Sequence, residues 1–292
     1  MIIIRLIGGL GNQMFQYSLG RRLALERRQP LKVDLSWFVS QSKREYQLCH
    51  FCITAQIASP EEVLHIKKPS WARFPNRIHQ AIQRRLPYYR RAVVYEKTSA
   101  FDPHILRVRN NVYLMGYWQT EKYSAPIRQV IQDEFRLMRP LSMESQEWAE
   151  KIRSCNAVSI HIRRGDYVND PKTNQVHGIL PRAYYMQATA YLLERVPKPV
   201  FFVFSDDMPW ARQNLGLLSS PEFVGIEGED RDVEELILMT LCKHHIIANS
   251  SYSWWGAWLG RESEKIVIAA KQWFGDLSRD TGDLIPEAWI RM

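Results

Sequence analysis

Seven consecutive residues, His161-Ile162-Arg163-Arg164-Gly165-Asp166-Tyr167, gather an imidazole, two guanidiniums and a carboxylate in one short stretch. They close the apolar run 157–162, which reads as a β-strand, so they stand where open α/β sheets bind ligands. Side chains alternate along a strand, which puts His161 and Arg163 on one face and Arg164 on the other. Arg163 can fork onto phosphate oxygens, while Arg164 pairs with Asp166 or another carboxylate and props the loop. A surface ion-pair cluster is the plain alternative, weakened by the crowding of four polar groups at one strand end.

Three further segments carry chemistry. Ser205-Asp206-Asp207 follows the run 200–204; a carboxylate there can accept from the N–H edge of guanine, hold a ribose or bind Mg²⁺, and one of the two caps the next helix. Asn249-Ser250-Ser251-Tyr252-Ser253 sets an amide and three serine hydroxyls at a strand-to-helix turn, which suits an anion, although serine capping accounts for one hydroxyl. At the amino terminus, Gly8-Gly9-Leu10-Gly11-Asn12 follows a β-branched run like a dinucleotide loop, but Met14 stands where the third glycine would be. Gly9 and Gly11 let backbone amides approach an anion. Asn12 either donates to that ligand or caps a helix over 13–28.

The elements that must position these segments follow from periodicity. Strands are predicted at 157–162, 200–204, 222–226, 245–248 and 265–269, alternating with helices at 182–196, 209–215, 232–243 and 252–259. The first half shows strands at 2–7, 32–35 and 112–115, an amphipathic segment at 121–137 and an irregular middle. With a linker at 138–142, the expectation is two Rossmann-like domains, 1–140 and 141–292, facing each other across a cleft.

Composition bounds the rest. Four cysteines, with Cys49 and Cys52 as one C-x-x-C lacking a second pair, read as reduced thiols and not as half a zinc site. No run reaches the roughly 20 apolar residues of a membrane span, and no signal peptide is visible, so a cytoplasmic protein is expected. The net charge of +8 gathers in an acid-free stretch, 63–94, where Trp71, Phe74, Tyr88 and Tyr89 interleave with eight Lys and Arg. That stretch is either a solvated face or a peripheral contact with the anionic inner membrane; no nucleic-acid partner is expected. Ten Trp and thirteen Tyr suit sugar stacking, or simply fill the core. Asp230-Arg231-Asp232 matches a metal-binding D-x-D formally, but Asp232 and Glu235 read as a capping box, so no metal site is expected.

Taken in order, GGLGNQMFQYSLG, HIRRGDYV, FSDD and ANSSYSWWGAWL resemble the successive motifs of the bacterial α-1,2-fucosyltransferases, glycosyltransferase family 11. The likeness runs from Ile2 to about residue 270, is thin over 41–110, and departs from the family pattern at Ile179-Leu180-Pro181-Arg182. It implies a GT-B fold, GDP-β-L-fucose as donor with no other cofactor, and a terminal galactose as acceptor, free or lipid-linked, in surface-polysaccharide synthesis such as that of O-antigen. Transfer would be inverting and metal-independent, with Arg163 and the helix start at Ser250–Ser253 neutralising the leaving diphosphate. Asp166, Asp170 and His177 are all open as the base, as is proton loss without one. Fucosyl transfer with another linkage or acceptor is the near alternative. A dinucleotide-dependent oxidoreductase would need the missing glycine, and an inert sugar-binding protein would not need the paired arginines.

Overall fold

The computed structural model describes residues 1–40, 44–68, 85–215, 221–276 and 279–292, apart from the side chains of Asp166, Asn169, Lys172 and Thr173. Half of the basic aromatic stretch, residues 69–84 with Trp71 and Phe74, lies outside the described residues. The chain divides into two α/β units, one of residues 1–138 with 280–284, the other of 139–279 with 285–292. The sequence reading assigned everything beyond 140 to the second unit. Residues 280–284 return to the first because Ser99 Oγ donates to the Asp280 carbonyl (2.6 Å) and Asp283 accepts from Phe101 N (2.7 Å) and pairs with Lys122.

The first unit is a five-stranded sheet in the order β3-β2-β1-β5-β4, formed by Ile2–Arg5 (β1), Leu31–Asp34 (β2), Gln56–Ile57 (β3), Val93–Tyr95 (β4) and Val112–Met115 (β5). Every pairing is parallel. Ile2, Ile3 and Ile4 are all buried, as expected of a central parallel strand covered on both faces. The helix after β1 spans Leu10–Arg27 and so begins three residues earlier than its periodicity suggested. Its N-cap is Gly9, which leaves Asn12 inside the first turn; the capping role weighed for Asn12 does not apply. The amphipathic segment after β5 is broken by Pro126 into helix Glu121–Ser124, the 3₁₀ turn Ala125–Ile127 and helix Arg128–Glu134.

The second unit is a six-stranded parallel sheet in the order β11-β10-β9-β6-β7-β8. Its strands are Asn156–Ile162 (β6), Pro199–Ser205 (β7), Pro221–Phe223 (β8), His244–Ile246 (β9), Val267–Ala269 (β10) and Ile290–Arg291 (β11). One face packs Val158, Ile160, Ile162, Phe201 and Val203 against Tyr184, Tyr185, Ala188 and Leu192 of helix Arg182–Leu193. Helix Arg231–Leu241 lies against helix Ser251–Leu259, where a Cβ on Gly256 would come 3.1 Å from Met239, so the small residue allows the close approach. The tryptophans go chiefly to the core. Trp254, Trp255 and Trp258 pack with ring centroids 5.0–5.9 Å apart, and Trp118, Trp273 and Trp289 are buried too. The sugar-stacking motive for an inert binding protein therefore weakens. All four cysteines are free, and no helix among the described residues is long and apolar enough to cross a membrane.

Candidate functional site

In the second sheet the chain runs outward from β6 to β7 and β8 on one side, and from β9 to β10 and β11 on the other. The direction reverses between β6 and β9, and ligands of open α/β sheets bind at the carboxyl ends beside such a switch. The segment from His161 to Tyr167 forms the last two residues of β6 and the loop and helix start beyond it, and Asn249–Ser253 follows β9.

Register sorts the charges. β6 pairs with β7 so that Ile162 stands opposite Ser205, and the residues just beyond face one another. Arg163 Nη1 lies 3.0 Å from Asp206 Oδ2, and Arg164 Nε lies 3.1 Å from Asp207 Oδ2. Asp206 Oδ1 also accepts from the Arg164 backbone N–H at 2.8 Å. A Cβ on Gly165 would sit 2.9 Å from that carboxylate, so glycine lets the loop close on it. Arg164 is the expected prop, with its carboxylate supplied by Asp207 and its guanidinium carbon 4.3 Å from the centroid of the Trp210 ring. Asp207 is also the expected cap, accepting from Trp210 N at 3.1 Å, and its own N–H donates to Ser205 Oγ at 3.0 Å.

His161 is buried, and its Nδ1 makes no hydrogen bond to any described residue. Burial first, and then the Arg163 charge, push its pKa down to about 3, so the imidazole is neutral at ordinary pH. Its ring lies 5.4 Å from Tyr252, whose hydroxyl donates to the Asp232 carbonyl. Asn249 donates its side-chain amide to the carbonyls of His177 (2.8 Å) and Trp273 (3.0 Å), which braces the turn from within. Ser250 caps the helix by accepting from Tyr252 N at 3.3 Å, Ser253 Oγ donates to the Ala248 and Ser250 carbonyls at 3.3 Å, and Ser251 is half-buried at the first helical position. His177 stacks on Tyr167 at 4.8 Å and 7° and meets Phe274 at 5.6 Å. Asp166 lies in helix Gly165–Asn169, its side chain outside the described set.

The sequence reading missed one pair here. Arg231 donates from Nη2 to the Ser205 carbonyl (2.8 Å) and from Nε to Glu235 Oε1 (2.7 Å), which adds a third arginine at the end of β7. Their i,i+4 spacing was a legible signal for the pair but not for what it would hold. Glu235 therefore makes no capping box, and Asp230, the N-cap residue, has no side-chain capping bond and pairs with Arg139. Burial raises the Glu235 carboxyl to about 7, partly offset by Arg231, with Asp232 and Asp206 adding to the rise. A folded-state value above the ordinary 4.5 means that the folded chain holds the proton more tightly. Stability from this group is then complete below about 4.5 and lost as pH rises through about 7. Glu235→Gln is expected to flatten the dependence of the melting temperature on pH between 5 and 8; an unchanged slope would assign that dependence to other groups.

The first sheet is wound differently: β1, β2 and β3 run outward to one edge, while β4 lies at the other edge and the chain returns inward to β5, beside β1. Gly8 takes φ +79°, and a Cβ there would meet Asn12 Nδ2 at 2.6 Å. Gln13 Nε2 donates to the Gly8 carbonyl (3.0 Å), and Gln16 Nε2 donates to the Gly116 carbonyl (3.1 Å), tying the loop after β1 to the loop after β5. Gln119 Nε2 donates to Asn12 Oδ1 at 2.7 Å, across 107 positions of sequence. A Cβ on Gly9 would meet nothing within 4 Å, and Gly11 is buried in the first helical turn. Half-buried Glu96, its carboxyl raised by that burial, accepts from Tyr117 N (2.6 Å) and Trp118 N (2.8 Å). Trp118 is thereby held at φ +58°, a conformation that costs a bulky residue about 1–3 kcal/mol.

Residues 1–290 match the profile of glycosyl transferase family 11. The chain belongs to that family. It is 34% identical over 298 residues to the α-1,2-colitosyltransferase of Escherichia coli, covering 100% of this chain and 99% of that protein. It is 31% identical over 310 residues to the O-antigen biosynthesis glycosyltransferase WbnK of Escherichia coli, covering 98% and 99%. A mutant of Arabidopsis thaliana FUT1 solved in complex with GDP superposes with a TM-score of 0.50 at 11% identity, covering 91% of this chain and 69% of that one; it shares the fold. This family 11 member is a glycosyltransferase of the GT-B type, built on two parallel α/β sheets as expected.

Proposed function

We propose that this family 11 glycosyltransferase moves L-fucose from GDP-β-L-fucose to the 2-hydroxyl of a terminal galactose, with inversion and in one displacement, in the synthesis of a surface glycan such as O-antigen. The observation that carries the reading is the Arg163–Asp206 ion pair beside the β6/β9 switch. A nucleoside diphosphate leaves only if its developing charge meets fixed cations and dipoles or a metal. Arg163 supplies a guanidinium whose fork matches phosphate oxygens, and the nine-residue helix Ser251–Leu259 adds its positive end. Across that site His161 stays neutral, so it can donate or accept without adding charge. The relative named for α-1,2 transfer supports the linkage. It also favours a second reading, transfer of a colitosyl group. Incubation with lactose and either GDP-fucose or GDP-colitose, read as released GDP and a glycosylated product, separates the two. Release of GDP from neither donor overturns both.

The proposed chemistry runs on arginines, and the Asp230 carboxylate of the formal D-x-D is engaged by Arg139. Transfer is therefore expected to persist in EDTA. Loss of activity in chelator, restored by Mn²⁺ or Mg²⁺, would show that the leaving group needs a metal after all.

A further inference from the structure

The loop that follows β5, Gly116-Tyr117-Trp118-Gln119-Thr120, has no part in the reading above. It stands at the carboxyl end of β5, next to central β1, and is tied to the helix that follows β1 by Gln16 on the Gly116 carbonyl and by Gln119 on Asn12. Its shape is imposed at a cost. Trp118 holds a left-handed backbone that a bulky residue avoids, and a half-buried carboxylate, Glu96, accepts from two of the loop's N–H groups. A Cβ on Gly116 would lie 2.4 Å from Glu96 Cβ, so even the approach of the segments that follow β4 and β5 depends on glycine. Trp118 is 2% exposed and its indole Nε1, buried, donates to no described residue. The outcome of this arrangement is specific. Trp118 turns in, Gln119 turns toward Asn12, and Tyr117 between β5 and Trp118 is left 46% exposed.

Single exposed aromatics are ordinary on protein surfaces. One presented at the carboxyl end of a parallel strand by a strained, carboxylate-clamped loop is not, because strain that persists in a fold is held by the rest of the structure and concentrates at functional sites. We propose that Tyr117 is the platform on which the acceptor sugar ring lies, its aromatic face against the apolar C–H face of a galactose. Glu96 is the positioning residue that keeps the ring presented. The inference rests on the glycosyl-transfer reading for the identity of the sugar.

Tyr117→Phe, Tyr117→Leu and Tyr117→Ala test it, with lactose as the acceptor probe. Lactose binding is followed by saturation-transfer NMR without donor, and KM for lactose and for GDP-fucose is followed in turnover. Tyr117→Ala is expected to raise the lactose KM about ten-fold and to lose the lactose NMR signal, with the donor KM and the melting temperature unchanged. Tyr117→Phe should match the parent, since it keeps the face, and Tyr117→Leu should fall between. A parent-like lactose KM in Tyr117→Ala overturns the proposal, as does an equal rise in the donor KM or an equal loss in Tyr117→Phe. If the parent binds lactose and loses it in Tyr117→Ala, yet releases no GDP from GDP-fucose, the platform stands and the fucosyl donor is what fails.

Discussion

Arg163→Lys is expected to turn over about 10²–10³-fold more slowly than the parent while melting at nearly the same temperature. Lysine keeps one positive charge but cannot hold Asp206 and a phosphate oxygen at once in fixed directions. In the parent, Asp206 fixes the guanidinium at 3.0 Å from one side, and the same carboxylate anchors the Arg164 N–H, so the arginine is aimed before any ligand arrives. The loss should fall on kcat more than on donor KM, because the charge being met grows toward the transition state. Asp206→Asn is expected to give a milder form of the same defect, by loosening the arginine and not removing it. Near-parental turnover of Arg163→Lys would take Arg163 out of the diphosphate site, and the two variants together separate a missing cation from a badly aimed one.

Asn12→Ser is the second large effect expected. Serine and asparagine have similar helix propensity, and since Gly9 caps the helix, no cap is lost with the asparagine. What serine cannot do is accept from Gln119 while presenting an N–H₂ group beyond it. If that amide donates at the reacting centre, turnover should fall about 10²-fold with GDP binding and melting unchanged. Parent-like turnover would leave the loop after β1 a structural device, with Gln13 and Gln16 as its fasteners.

What could be read from the chain alone was local. The run that became β7 is apolar on both faces, and the run that became β6 is interrupted only by Ser159 and His161, a pattern that suits a covered parallel sheet, so the α/β class followed from residue type. Polar clusters at the ends of such runs marked the sites for the same reason: a group that could lie in water is instead kept at a buried strand end. Strands β3 and β4, two and three residues long, were too short to show a period, and β11 is shorter than any pattern. The start of the first long helix also escaped, because Gly9, Gly11 and Asn12 are weak helix formers and the helix is fastened there by tertiary bonds, from Gln16 to the Ile7 and Gly116 backbone.

The sequence by itself determined which groups the molecule would have at its strand ends; tertiary structure decided which of them meet. His161, Arg163 and Asp206 lie in two segments more than forty residues apart, and only the pairing of Ile162 with Ser205 sets Arg163 on Asp206 and Arg164 on Asp207. Asn249 was read as a ligand group and is found bracing His177 and Trp273, and Glu235 was read as part of a capping box and is found on Arg231, which reaches the Ser205 carbonyl. Periodicity reports which face a side chain takes on its own element, but a hydrogen bond needs a partner within about 3 Å, and that partner is delivered by strand register and helix packing over long separations.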